Sequence, residues 1–226
     1  MGNRVVYLPA YEAEVEYLES TGTQWIDSGV NPDNTYTFDC KVATTHIVDG
    51  NYVFWGCRDM QNNAIIAQCF LFVSNMSSHD GEKIRLITTN SWTDNVNWNS
   101  EIVPTQNTMY ELVGMTSVST MNAVNSTIAI FGLTTNGATS AGISKCRIGY
   151  WKCYSNGQIV RDFIPVRIGT TGYMYDKVSR QLFANAGTGQ FVLGNDVANA
   201  TVPQLRHVVY LGGQRCVGFE KVYSFR

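Results

Sequence analysis

The dipeptide Asn156-Gly157 constrains this chain more than any other feature of it. Both residues accept the positive φ that a type I′ turn demands, and they stand between two runs that alternate apolar and polar side chains. Arg147 to Ser155 and Gln158 to Arg167 are therefore expected to be antiparallel neighbours. Pro165 removes one ladder donor, so the second strand should reach an edge or a bulge there. A second hairpin is predicted from Tyr173 to Asp176 and Gln181 to Phe183, joined by Lys177-Val178-Ser179-Arg180. Gln190 to Leu193 adds one more strand, so the block from Lys145 to Leu193 is made almost wholly of strands and turns.

The same grammar runs through the rest of the chain. Val5 to Leu8 reads as a lead-in strand stopped by Pro9, and Glu14 to Leu18 and Gln24 to Ile26 as strands around a Ser20-Thr21-Gly22 turn. Thr35 to Ala43, Asn51 to Gly56, Ala64 to Ser74, Lys83 to Thr88, Thr108 to Met115 and Thr127 to Leu133 follow. No segment of helical length carries an apolar stripe of helical period. About a dozen strands suffice for two packed antiparallel sheets with a shared core. Beyond Val197, Val202 to Leu211 and Gln214 to Phe225 read as a further hairpin across Gly212-Gly213.

Three segments resemble a known family. Val160-Arg161-Asp162-Phe163-Ile164-Pro165-Val166-Arg167, Gly172-Tyr173-Met174-Tyr175-Asp176-Lys177-Val178-Ser179 and Leu182-Phe183-Ala184-Asn185-Ala186-Gly187-Thr188-Gly189 are similar to LamG-like domains, common in phages and surface proteins of gut bacteria. The run from Glu16 to Gly29, EYLESTGTQWIDSG, resembles the first strands of that family. Arg180 departs from it, since the family usually has Gly in that tight turn. The resemblance implies a concanavalin A-like, LamG-type antiparallel β-sandwich jelly roll over residues 11–196. Residues 1–10 are then a lead-in, and residues 197–226 an extension that closes an edge or contacts another subunit.

Composition sets limits on function. Of 226 residues, 44% are hydrophobic and 15% charged, which suits a packed core and excludes a disordered polyelectrolyte. A formal charge of −2 gives no electrostatic case for nucleic acid. No run approaches the roughly 18 apolar residues that cross a bilayer, and the first residues lack a signal-peptide apolar region. The six cysteines show no Cys-x-x-Cys pair, several sit in apolar runs, and with no export signal they are expected to be reduced and structural. Cys146 and Cys153, an odd number of residues apart, are expected on opposite faces of one strand.

Candidate sites are few. Asn90 to Asn99 sets Trp92 and Trp98 among small polar residues, the mixture that sugar recognition uses, with Asp94, Asn95 and Asn97 as hydroxyl partners. Trp25, Trp55 and Trp151 lie in alternating runs and are expected in the core. LamG-like domains often bind calcium at a loop rim, which makes Asp33, Asn34 and Asp94 the oxygen ligands to consider. No other cofactor is expected. Glu14, Glu16 and Glu19 resemble the carboxylate strand of glucanases that share the sandwich fold, but the middle residue is Glu where those have Asp. His46, His79 and His207 are far apart, and the sequons at Asn75, Asn125 and Asn199 are read as compositional.

The expectation is a non-enzymatic virion structural or adhesion module, a phage fibre or a capsid or tail decoration protein. It would be made in the bacterial host cytoplasm and would bind host or mucosal glycans. Its partners would be other virion proteins and itself, as a homo-oligomer and by analogy with fibres a trimer. A glycoside hydrolase of the same fold and a purely structural spacer are the alternatives.

Overall fold

The computed structural model describes residues 3–46, 52–62, 64–74, 83–89, 96–99, 101–117, 119, 121–139 and 144–210. In chain order the strands are β1 (Asn3–Pro9), β2 (Ala13–Glu14), β3 (Leu18–Thr21), β4 (Ile26–Asp27), β5 (Tyr36–Thr44) and β6 (Tyr52–Gln61). Then come β7 (Ala64–Ser74), β8 (Lys83–Thr89), β9 (Val96–Asn99), β10 (Tyr110–Thr116), β11 (Ala129–Ile130), β12 (Thr134–Thr135) and β13 (Ala138–Thr139). The series ends with β14 (Lys145–Ser155), β15 (Gln158–Ile168), β16 (Thr171–Asp176), β17 (Gln181–Phe183), β18 (Val192–Leu193) and β19 (Gln204–Tyr210). There is no helix among the described residues.

Two sheets carry the fold. The first runs β10-β5-β14-β15-β16-β17, with β2, β3 and β18 attached; the second runs β13-β12-β6-β7-β8-β9, with β4 and β11 attached. Pairing is antiparallel except for the short parallel contact of β12 with β6. The hairpin expected at Asn156-Gly157 forms as predicted: φ is +50° and +76° at the two turn residues, and β14 and β15 pair down from Ser155 and Gln158. Arg180, in the second hairpin turn, also takes a left-handed φ of +58°. Asp176 organises that turn. Its buried carboxylate accepts the backbone N–H groups of Asp162, Val178 and Ser179 at 2.9 to 3.1 Å.

Inward-facing residues of the two sheets form one core. Trp55 of β6 meets Trp151 of β14 edge to face, with centroids 5.9 Å apart, and Phe38 touches both rings. Both tryptophans are fully buried, as the alternation implies, and truncating either to alanine typically costs about 3–5 kcal/mol. Trp25 is the exception: it is half-buried and lies at the sandwich rim beside Gly187.

The expectation for Cys146 and Cys153 is corrected. Both are buried on the inner face, because the register of β14 against β5 shifts between Ile148 and Tyr150. A β-bulge at Gly149 adds one residue and restores the odd spacing to a single face. Cys40, Cys57 and Cys69 are likewise buried free thiols, and burial pushes Cys40 and Cys153 up to about 12. Cys216 lies outside the described residues.

The two ends of the described chain pair with each other. β19 pairs with β1 over seven residues, from Asn3 opposite Tyr210 to Pro9 opposite Gln204, as a separate two-stranded sheet. The predicted partner of β19, Gln214 to Phe225, lies outside the described residues. The foot of this ribbon is seated by Ala10, Tyr11 and Val202, which pack with Ile164, Val166 and Tyr175 on the outer face of the first sheet.

Candidate functional site

The first sheet forks. β15 pairs with β14 only as far as Phe163 opposite Trp151, and then takes β2 as its neighbour, with Val166 opposite Glu14. The first half of β14 pairs instead with β3, from Lys145 to Ile148. Residues 15–17 cross the gap between the two branches, which is why the strand expected from Glu14 to Leu18 is broken into β2 and β3. Pro165 sits in the fork, after β15 has left β14, where its missing N–H breaks no bond to that strand.

The crossing is held from both sides. Val15 N–H donates to the Pro165 carbonyl at 3.0 Å. Glu16 N–H donates to Asn195, and the Tyr17 carbonyl accepts from Gly194, both at 2.9 Å. Gly149 makes the approach feasible: a Cβ there would stand 3.1 Å from the Glu16 carbonyl oxygen and 3.1 Å from Met109 Cε.

On the outer face this crossing walls a groove of about 480 Å³. Tyr17, Tyr150 and Met109 give it apolar surface, while Glu14, Glu16 and Glu111 give it carboxylates. Lys41, Asn107 and Arg147 complete its polar lining. The bulge decides this composition, since it turns Tyr150 outward while Trp151 goes into the core.

Four of the charged side chains, Glu14, Glu16, Glu111 and Arg147, are pinned. The Tyr150 hydroxyl donates to Glu111 Oε1 at 2.7 Å, and burial, reinforced by that carboxylate, raises its phenol well above the usual range. Tyr11 donates to Glu14 Oε1 at 2.8 Å and is raised for the same reasons. Asn195 Nδ2 donates to Glu16 Oε2 at 3.1 Å. Arg147 Nε donates to Glu19 Oε2 at 2.6 Å, and its guanidinium carbon lies 4.5 Å from the Tyr17 ring centroid, a cation–π contact.

Other residues singled out by the sequence lie elsewhere. Trp92, Asp94 and Asn95 fall outside the described residues. Trp98 and Asn97 belong to β9 at the edge of the second sheet, where Trp98 stands opposite Leu86 and Asn97 occupies a register shift. Asp33 Oδ1 accepts the N–H and hydroxyl of Thr35 at 2.8 and 2.6 Å, and Asn34 Nδ2 donates to the Ser119 carbonyl at 2.8 Å. Among the described residues no three His, Cys, Asp or Glu side chains come together as a metal site. Of the three glutamates compared with glucanases, Glu14 and Glu16 line the groove, while Glu19 is engaged by Arg147 beside it.

The family-like segments turn out to hold each other. Asn185 Oδ1 accepts the N–H groups of Trp25 and Gly187 at 3.1 and 2.9 Å, and Asn185 Nδ2 donates to the Gly189 carbonyl at 3.0 Å. Ala186 N–H donates to Trp25, and Thr188 N–H to Thr23, at 2.8 and 3.0 Å. Gly187 has no room for a side chain there, since a Cβ would lie 2.0 Å from the Thr23 carbonyl oxygen. Comparison with family models, with curated proteins and with solved structures finds no match for the chain.

Proposed function

We propose that this chain is a non-enzymatic recognition module that binds a glycan in the groove between β10, β5, β14 and the 14–17 crossing. The observation that carries the reading is the lining itself: the Tyr150 ring held through its hydroxyl and the Tyr17 ring against the Arg147 guanidinium, set among carboxylate, amide and ammonium groups. Aromatic faces pack against the C–H surfaces of a sugar ring, while pinned polar groups answer its hydroxyls at little ordering cost.

The finer fold reading, a concanavalin A-like sandwich of LamG type, rests on the family-like segments quoted above. So does the placement on a virion, made in the host cytoplasm and multivalent through self-association. Multivalency suits a shallow site, since weak single contacts gain strongly when several act together.

A glycan array on the full chain tests the reading. Binding should be lost in Tyr150→Ala and retained in Trp98→Ala. Loss in Trp98→Ala alone would return the site to the edge of the second sheet, and silence of the array would favour a structural spacer. A hydrolase reading attaches to the same groove through Glu14 and Glu16. Release of reducing ends from β-glucans or capsular polysaccharides, abolished by Glu14→Gln, would establish it instead.

A further inference from the structure

The outer face of β14 does not stop at the groove. Beyond Tyr150 it presents Lys152 and Tyr154, both half-buried, while Trp151 and Cys153 point into the core. Tyr154 repeats the arrangement of Tyr150. Its hydroxyl donates to a carboxylate on a neighbouring strand, Asp39 Oδ2 at 3.1 Å, as Tyr150 donates to Glu111 at 2.7 Å. Asp39 is itself fixed, its other oxygen accepting Gly114 N–H at 2.7 Å. Between the two units Lys152 is restrained, its ammonium 3.6 Å from Asp162 Oδ1 and 5.6 Å from the Tyr150 ring centroid.

A structural tyrosine needs only one such tie. Two tyrosine–carboxylate units in line on one strand, with the groove at one end, form a track. At a strand rise of roughly 3.3 Å per residue, four residues place Tyr150 and Tyr154 about 13 Å apart, a span of roughly two to three pyranose rings. We propose that Tyr154 and Asp39 form an outlying subsite of the groove, so that the module binds a linear oligosaccharide along β14 rather than a single terminal sugar. This rests on the glycan reading of the groove. Charge selects the class of chain: once Glu19 is set against Arg147, three groove carboxylates face one ammonium, Lys41. A lining of that sign disfavours acidic polysaccharides and suits neutral ones.

Calorimetry with two size series decides it: β-1,4-linked glucose oligomers and β-1,4-linked N-acetylglucosamine oligomers, each from dimer to hexamer. The full chain should bind one series with affinity that climbs with length. Tyr154→Ala should weaken the longest oligomer about tenfold, the worth of one aromatic contact, and leave the dimer unchanged. Tyr154→Phe, which keeps the ring, should retain the climb with length, and thermal melts of both variants should match the parent. Affinity lost in Tyr150→Ala but indifferent to Tyr154→Ala at every length would overturn the subsite and leave the groove standing. Failure of both series to bind the full chain would overturn the subsite for neutral oligomers, and silence of the glycan array as well would overturn the glycan reading with it.

Discussion

At the scale of single residues, the backbone strain is concentrated where a side chain occupies a glycine's conformation. Arg180 holds φ at +58° in the turn between β16 and β17, a region that costs a non-glycine residue roughly 1–2 kcal/mol. Its side chain is exposed and gains little in return. Arg180→Gly is therefore expected to stabilise the protein by about 1 kcal/mol, less what the freer unfolded chain regains. A rise in the urea midpoint at unchanged slope is the readout. A fall would mean that the arginine has a role in the folded state beyond the turn.

At the scale of elements, Asn185 joins two segments that are 160 residues apart in sequence. Asn185→Ala leaves the Trp25 and Gly187 amides without their acceptor and should cost about 1–3 kcal/mol, read by the same denaturation series. This element-level organisation was only partly legible beforehand. Hairpins such as β14–β15 are written locally, in residues that tolerate positive φ, so they could be read from a few neighbours. The fork was not legible, because it depends on a bulge at Gly149 and on which strand happens to lie beside which. The candidate site suffered most from this. Glu14 and Glu16 are visible in the sequence through their likeness to the glucanase carboxylate strand, whereas Tyr150, Glu111 and Lys41 come from three strands and share a face only after the sheet is assembled. One missed bulge also inverted the expected placement of Cys146 against Cys153.

At the scale of the whole molecule, many weak acids shift the same way. Burial raises the thiols of Cys40, Cys57, Cys69, Cys146 and Cys153. It also raises the phenols of Tyr11, Tyr36, Tyr150, Tyr154 and Tyr175. Each group keeps its proton in the folded protein at a pH where the unfolded chain has released it, so stability is fully present below the unfolded values and lost above them. The melting temperature should hold through neutral pH and fall above about pH 9, where free thiols and then phenols begin to ionise. Tyr110, lowered by its hydrogen bond with Thr105, should ionise early, and the larger part of the tyrosinate absorbance should rise together with the loss of β-sheet signal. Full tyrosinate absorbance well before unfolding would show that the five raised phenols are not held as described.

The ribbon of β1 and β19 has a mechanical consequence. Asn3 and Tyr210 stand opposite each other at its far end, so a load applied through those two points pulls across the strands and not along them. Its hydrogen bonds are then strained one after another, like teeth in a zipper, and never as a set. Tension is spent on the ribbon before it reaches the foot at Ala10 and Val202.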